Sequence, residues 1–278
     1  KTRVLTTRIA WLIAQGKAKP WEILAVTFTN KAAREMKTRL EAMLAMDVST
    51  MCVGTFHGIA HRLLRLHATE ANLPKSFQII DQADQLSLIR RLMAEVGLRS
   101  DDIEPKEIQN RINFFKESGL RSSNVDAGIN FAQKKAAGLY QKYEARCQKD
   151  GLVDFAELLL RSLELLEGNV LLREHYAKRF KYVLVDEFQD TNALQFRWIR
   201  AIASPQSKEN TLFCVGDDDQ SIYKFRGANI ENILSFEKSF PGAKVIKLEQ
   251  NYRSTKNILN AANGVIANNE GRKEKALW

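Results

Sequence analysis

The sequence has few cysteines, no long apolar run and no excess of acidic residues. Its three cysteines, Cys52, Cys147 and Cys214, are widely separated. Their spacing matches neither a disulfide framework nor a zinc site, which argues against a disulfide-stapled secreted domain. No apolar run approaches the length of a membrane span, and no charged-then-apolar leader precedes the first predicted strand. We therefore expect a reduced, soluble, cytoplasmic protein with no membrane partner.

The acidic residues are outnumbered by basic ones. The chain of 278 residues has 42 Lys and Arg against 33 Asp and Glu, which gives a formal charge of +9 and a pI near 9.4. Such a balance favours a polyanionic partner, and nucleic acid is the leading candidate. The length is sufficient for two compact units with well-buried cores.

The most informative stretch runs from Val183 to Gln195, with the sequence VLVDEFQDTNALQ. A short β-branched run predicts a central strand, and Asp186 and Glu187 follow it directly. Open α/β folds bind ligands at this carboxyl edge of the sheet. One carboxylate can hold Mg²⁺ while its neighbour deprotonates the water that attacks a γ-phosphate. A solvated acidic turn is the alternative, but the order of residues 188–191 argues against coincidence.

The remaining pattern predicts an α/β fold with a parallel sheet, helices on both faces and an inserted all-helical domain. The first strands are expected at Ile23–Phe28 and Val48–Val53, with Asn30 capping the helix between them. Long amphipathic helices with scarcely a strand signal begin near Leu73 and continue to Lys178. Strands then resume in YVLVDE, TLFCVGD and AKVIKLEQN.

Lys1 and Thr2 open a helix, and a later strand ends in Asp-Glu, so the pair fits the last two residues of the phosphate-binding motif G-x-x-x-x-G-K-T. An arbitrary chain end is the alternative.

In VGDDDQSIYKFRGAN, Gln220 can hydrogen-bond a γ-phosphate or its water. Tyr223 and Phe225 can stack on bases of a single strand or pack in the core. Tyr252 can stack on adenine beside a phosphate-binding Arg253, although surface Tyr-Arg pairs are common.

Taken together and in order, several segments resemble the motifs of the UvrD/PcrA/Rep helicases of superfamily 1. These segments are TFTNKAAREM, GTFHGIAHRLL, GLVDFAELLL, VDEFQDTNALQ, VGDDDQSIYKFRGA and LEQNYRS. The resemblance implies a RecA-like P-loop NTPase lobe interrupted by a helical insertion, and it divides the chain into four parts. These are 1–57 (lobe 1A, first part), 58–178 (insertion 1B), 179–247 (lobe 1A, second part) and 248–278 (the truncated start of lobe 2A).

The resemblance also implies roles for individual residues. The implied nucleotide-binding residues are Lys1, Thr2, Arg3, Gln220, Tyr252 and Arg253. The implied Mg²⁺ ligands are Thr2 and Asp186, and the implied catalytic residues are Asp186, Glu187, Gln220 and Arg253. The implied DNA-binding residues are Phe28, Thr29, Asn30, Thr55, His57, Tyr223, Phe225 and Arg226. The chain has Lys224-Phe225 where the family usually has Gly-Trp, so the stacking area there is smaller.

The function implied is that of an ATP- and Mg²⁺-dependent 3′-to-5′ DNA helicase in repair or replication. It would act on single-stranded DNA and on single/double-strand junctions, with repair proteins as candidate partners. Two alternatives remain: the helicase subunit of a recombination helicase-nuclease, and a non-hydrolysing DNA-binding module. We expect the chain to be an N-terminal fragment that is inactive alone.

Overall fold

The computed structural model describes residues 1–98, 103–125, 131–205 and 209–269, together with residues 273, 275, 277 and 278. Of residues 131–133 and of Arg226, only the backbone is described. The strands are Ile23–Thr27 (β1), Cys52–Thr55 (β2), Gln78–Ile79 (β3), Leu152–Val153 (β4), Tyr182–Val185 (β5) and Thr211–Cys214 (β6). The helices are Thr2–Ala14 (α1), Asn30–Leu44 (α2), Phe56–Leu66 (α3), Gln82–Glu95 (α4), Pro105–Glu117 (α5), Phe131–Asp150 (α6), Phe155–Gly168 (α7), Val170–Arg179 (α8), Ala193–Ile202 (α9), Glu231–Leu234 (α10), Phe236–Ser239 (α11) and Lys256–Ile266 (α12).

The main sheet has the strand order β2-β1-β5-β6, and every neighbouring pair is parallel. Val26 of β1 lies opposite Val185 of β5, and Val185 lies opposite Cys214 of β6. Because parallel strands end at the same edge, the residues that follow each strand lie side by side there. The backbone N–H of Asp186 continues the pairing by donating to the Val26 carbonyl at 2.9 Å.

Both faces of this sheet are covered, as the apolar run of β1 predicts. Successive strand side chains point to opposite faces, so Leu24 and Val26 join one core while Ile23 and Ala25 join another. The first core is built mainly by α3, α7 and α9, and the second by α1 and α2. The predicted α/β fold with helices on both faces is therefore confirmed.

The helices α4, α5 and α6 enclose a third core of their own. Its buried members include Leu88, Ile112 and Tyr143. The short parallel pair β3–β4 lies where the chain enters and leaves this group of helices. By contrast, α3, α7 and α8 pack into the core of the main sheet. The domain boundaries drawn from the sequence stay a prediction.

A buried charge network joins the helical group to α7. The Lys116 ammonium of α5 lies 2.6 Å from Asp154 and 2.9 Å from Glu157, and all three side chains are buried. Arg121 reaches Glu157 at 2.9 Å, and the Tyr143 hydroxyl donates to Asp154 at 2.8 Å. Burial alone would lower the pKa of Lys116, but the two acids raise it well above its usual value. Each charge therefore has a partner of opposite sign.

Three local predictions were wrong. The second strand begins at Cys52 rather than at Val48, because an Asp47-Ser49 turn and a further turn after Val48 occupy the preceding residues. Thr29, not Asn30, caps α2, since its hydroxyl accepts from the Ala32 N–H at 3.1 Å. The segment AKVIKLEQN forms no strand. Its backbone bonds Phe240 through the Ala243 N–H and Trp278 through Glu249 and Asn251, and neither contact forms part of a strand ladder.

Within the parts of the chain that the structure describes, we find no helix that combines the length and the apolar character needed to cross a membrane.

Candidate active site

The first turn of α1 lies against the end of β5. Leu5, Ile9 and Leu12 anchor this helix in the core of the sheet, which fixes its N-terminus at the carboxyl edge. There the Thr2 hydroxyl donates to Asp186 Oδ2 at 2.8 Å. A helix N-terminus presents unpaired N–H groups and a positive dipole end, which suit an anionic ligand. The predicted metal pair, Thr2 and Asp186, is thus brought together.

Lys1 connects the residues that follow two different strands. Its ammonium donates to Gln220 Oε1 at 2.8 Å and lies 3.5 Å from Glu187 Oε2 and 3.6 Å from Asp217 Oδ2. Gln220 in turn donates to Asp217 Oδ2 at 2.7 Å. One partly buried cation is therefore surrounded by groups that an incoming phosphate could replace.

Glu187 adopts a left-handed backbone conformation, with φ 49° and ψ 44°. For a residue with a side chain this conformation costs about 1–3 kcal/mol, and such strain is concentrated at functional sites. The conformation reverses the chain after β5, so that a 3-10 turn, Phe188–Asp190, follows at once. Phe188 closes the turn by inserting its buried ring into the core below the sheet edge.

The site holds more acid than base. Burial raises the pKa of Asp186, and the charge of Glu187 raises it further, although the Thr2 hydrogen bond opposes both. Burial and Glu187 also raise the pKa of Asp190. One oxygen of Asp190 is buried and has no hydrogen-bond partner within the described part of the chain. Hydroxyl and carboxylate oxygens are the ligands that Mg²⁺ prefers, so the residues present fit a bound divalent cation.

A neighbouring run of acids, Asp217–Asp219, meets a lysine from the end of the chain. The Lys275 ammonium contacts Asp217, lies 2.9 Å from Asp218 Oδ1 and 3.1 Å from Asp219 Oδ2. This contact compensates the acidic run. Asp217 thus divides its carboxylate between Lys275 and Lys1.

Three of the predicted nucleotide residues lie apart from this cluster. Arg3 is exposed on the first turn of α1. Tyr252 is 87 % exposed, and its hydroxyl donates to Gln250 at 2.6 Å. Arg253 is also exposed, with its backbone N–H bound to Asn251. No hydrogen bond or ion pair among the described residues joins these side chains to the Lys1 cluster, and their nucleotide roles stay predictions.

The predicted DNA residues of the first strands lie at the same sheet edge. The Phe28 ring is half-buried and meets Phe56 edge-on at 5.6 Å. The hydroxyls of Thr29 and Thr55 each accept a backbone N–H, and Thr55 thereby caps α3 through Gly58 at 3.1 Å. Asn30 is exposed as the first residue of α2.

His57 follows on α3. It is partly buried, and its imidazole lies edge-on to Phe155 with ring centroids 6.3 Å apart. Burial lowers the pKa of His57, which favours the neutral ring near pH 7. A neutral imidazole can stack on a base or hydrogen-bond to it without adding a charge.

The two aromatics after β6 are not core residues. Phe225 is 77 % exposed, and Tyr223 is exposed beside it with ring centroids 6.0 Å apart. The core alternative for this pair therefore fails. The side chain of Arg226 lies outside the described residues, so its predicted DNA contact stays a prediction.

Sequence reasoning missed three residues that lie within the site. Gln189 is buried between Glu187 and Asp217, and Asp217 is itself an ion-pair partner of Lys1. Phe155 is exposed beside His57. Each of the three residues belongs to a motif quoted above. Gln189 is one amide, Asp217 is one acid in a run of three, and Phe155 is one aromatic after a helix cap, and no spacing in the sequence sets any of them apart as a site residue.

Two family models match successive parts of the chain. A family model described as the UvrD/REP helicase N-terminal domain matches residues 1–241, and one described as the UvrD-like helicase C-terminal domain matches residues 246–278. The whole chain is 50 % identical over 278 residues to DNA helicase II of Escherichia coli, and it covers 38 % of that protein. It is 43 % identical over 281 residues to the ATP-dependent DNA helicase PcrA of Bacillus subtilis, and it covers 37 % of that protein. The chain thus spans less than half the length of these relatives.

Proposed function

Because the chain belongs to the UvrD/REP helicase family, we propose that it supplies the ATP-hydrolysing core of a DNA helicase that moves 3′ to 5′ on single-stranded DNA. One observation carries the proposal. Residues from three distant segments, namely Lys1 and Thr2, Asp186 and Glu187, and Gln220, meet at one sheet edge within 3.5 Å of a neighbour in the cluster. Neither a solvated acidic turn nor an arbitrary chain end would require that meeting.

The proposed roles follow from the donors and acceptors present. Lys1 and the N-terminus of α1 bind the phosphates, because both are positive and the present partners of Lys1 can be exchanged for phosphate oxygens. Thr2 and Asp186 would hold Mg²⁺, which would neutralise phosphate charge when bound. Glu187 accepts a proton from the attacking water, and Gln220 hydrogen-bonds the terminal phosphate or that water.

The hydrogen bond between Lys1 and Gln220 connects the nucleotide site to the loop after β6, because a bound phosphate would compete for Lys1. Lys1 cannot hold Gln220 at 2.8 Å and also give all of its donors to a phosphate. Gln220 is followed by Tyr223 and Phe225 on the same loop. We propose that binding and release of ATP thereby shift these aromatic rings, which stack on successive bases of the strand.

The proposed DNA surface combines this loop with the ends of β1 and β2. Phe28, Thr29 and Asn30 lie where β1 ends, and β1 is the neighbour of β5. Thr55 and His57 lie where β2 ends, on the other side of β1 from the acids after β5. Strand binding and ATP binding would then share one rigid sheet edge. Action at single/double-strand junctions and work with repair proteins are part of the proposal. So are Tyr252 as the adenine platform and Arg253 as a charge-stabilising residue, both of which require a change from the exposed positions seen here.

The test is the Glu187→Gln substitution in the complete protein. The amide keeps the size of Glu187 and removes the base, so ATP should still bind while DNA-stimulated phosphate release falls by at least about a hundredfold. Bound nucleotide and phosphate release are measured on the same preparation. Hydrolysis near the wild-type rate would remove Glu187 from the chemistry. A wild-type protein that binds single strands but hydrolyses no ATP would favour a non-hydrolysing DNA-binding module.

Direction is tested separately. Duplexes that carry a 3′ or a 5′ single-stranded tail are compared for strand displacement. The proposal expects displacement from the 3′-tailed substrate, and a preference for the 5′ tail would contradict the proposed polarity.

A further inference from the structure

The side chain of Gln189 lies between the two loops that carry the proposed catalytic groups. It is 1 % exposed. Its Nε2 donates to Glu187 Oε2 at 2.9 Å and lies 3.3 Å from Asp190 Oδ2. Its Oε1 accepts the backbone N–H of Asp217 at 2.9 Å. One amide thus touches the loop after β5 and the loop after β6.

The orientation of this amide is fixed by chemistry. A backbone N–H can only donate, so the group that faces Asp217 must be the amide oxygen. The amide nitrogen must then face Glu187 and Asp190, which are both acceptors. A flipped amide would set two donors against each other at Asp217 and two acceptors against each other at Glu187.

The surroundings hold Gln189 in place from the other side. A Cβ added at Gly216 would lie 2.9 Å from Gln189 Oε1 and 3.3 Å from its backbone nitrogen. Both distances are closer than ordinary van der Waals contact, and the same Cβ would lie 2.7 Å from Ile233 Cδ1, so any side chain at position 216 would press on Gln189 and on Ile233. In addition, the Ser221 hydroxyl donates to the Gln189 carbonyl at 3.3 Å.

We infer that Gln189 is a positioning residue, which orients the Glu187 carboxylate toward the attacking water and couples it to the loop that carries Gln220. The inference rests on the proposed function. Glu187 is attached to a strained backbone, and its carboxylate would otherwise follow Lys1 when that lysine moves to a phosphate. The hydrogen bond from the Gln189 amide to Glu187 does not involve Lys1. It therefore keeps the carboxylate in place while Lys1 moves from Glu187 to the phosphate. It also ties the position of the base to the position of Asp217, three residues before Gln220.

The key variant is Gln189→Glu in the complete protein. It has nearly the same shape and still accepts from Asp217, but it sets a second carboxylate against Glu187. We expect kcat for ATP hydrolysis to fall about ten- to hundredfold, the usual effect of losing a partner that orients a reacting group, while KM for ATP stays within about twofold. Gln189→Met, which is uncharged and of similar length, should also lower kcat and covers the case that Gln189→Glu folds poorly.

The chain offers a matched control in the same motif. Gln195 is also buried, and its Oε1 accepts the Asn192 N–H at 3.0 Å as part of the cap of α9. Gln195→Glu makes the same chemical change six residues further along and keeps that acceptor. Its kcat should stay near the wild-type value, and the melting temperatures of both variants are measured to confirm that each is folded.

A double substitution separates positioning from a general structural role. If Gln189 acts through Glu187, adding Gln189→Glu to Glu187→Gln should cause no further loss of the residual rate. An equal loss in both backgrounds would overturn the inference, as would a wild-type kcat in Gln189→Glu or Gln189→Met. A slow Glu187→Gln beside a fast Gln189→Glu would overturn only this inference. A fast Glu187→Gln would overturn the proposed base and this inference together.

Discussion

Two charge clusters in the molecule differ in how fully their charges are paired. In the helical group, Lys116 lies between Asp154 and Glu157, and further hydrogen bonds satisfy both acids. At the sheet edge, Lys1 faces Glu187 and Asp217 beside two more acids with raised pKa values. In the first cluster Lys116, Asp154 and Glu157 are all buried, and each has a partner of opposite sign. In the second, carboxylates outnumber lysines, and the cluster lies at the accessible edge of the sheet. A complete network serves the fold, and an incomplete one at a ligand-binding edge serves a ligand.

The largest effect on stability is expected from opening the closed network. Lys116→Met leaves Asp154 and Glu157 buried without their shared cation, which should cost about 3–5 kcal/mol. Hydrogen exchange of α4–α6 measures this local loss of stability. Lys31→Met is the control, since Lys31 is exposed and its ion pair with Glu35 is long, at 4.0 Å. An exposed pair of this kind contributes about 0–1 kcal/mol. Equal protection in both variants would show that the network does not hold the helices.

The next effect concerns the exposed aromatics. Phe225→Ala should weaken single-strand binding by about 1–3 kcal/mol, because a stacking ring is lost. The melting temperature should be nearly unchanged, because most of the ring is exposed to solvent. Fluorescence anisotropy with a labelled strand measures the affinity. Phe114→Ala, at an exposed ring of α5, is the control and should bind normally. If the melting temperature falls while strand affinity persists, Phe225 contributes to stability and not to strand binding.

Phe28 sharpens the contrast between stacking and packing. Its ring is half-buried against Phe56 and the main core, so alanine should lower strand affinity and stability together. Affinity and melting temperature are measured on the same samples. A loss of only one of the two properties would assign this ring wholly to the strand surface or wholly to the core.

The smallest effect is expected at Asp186 in the absence of metal. Its raised pKa means that folding disfavours the charged form, so this carboxylate destabilises the fold at pH values above its folded pKa. Asp186→Asn should therefore raise the melting temperature by a few degrees at neutral pH without Mg²⁺. Added Mg²⁺ should stabilise the wild type and reverse the order. A lower melting temperature for the variant in both conditions would contradict the excess of acid described here.

The sequence was sufficient to predict the strand Tyr182–Val185, the acids after it and the sheet edge where they lie. Those features depend on local patterning, since apolar strands and their polar ends are continuous in the chain. The role of Gln189 could not be predicted, because it depends on the left-handed turn at Glu187 and on the neighbouring loop after β6. The Lys116 network was missed for a similar reason: a lysine within a helix looks like a solvated one until its partners from other helices are known.

The segment AKVIKLEQN shows the limit of apolar patterning. Val245, Ile246 and Leu248 have strand-forming side chains, yet they are exposed here. A strand forms only where a neighbour supplies a ladder of hydrogen bonds and a face to cover.

The central claim is that the incomplete cluster binds a metal-nucleotide complex. The most direct test is calorimetric titration of a non-hydrolysable ATP analogue into the complete protein, with and without Mg²⁺, for the wild type, Asp186→Ala and Lys116→Met. We predict Mg²⁺-dependent binding by the wild type and by folded Lys116→Met, and at least about a tenfold loss of that dependence in Asp186→Ala. Equal Mg²⁺-dependent affinity in Asp186→Ala and the wild type would contradict the account.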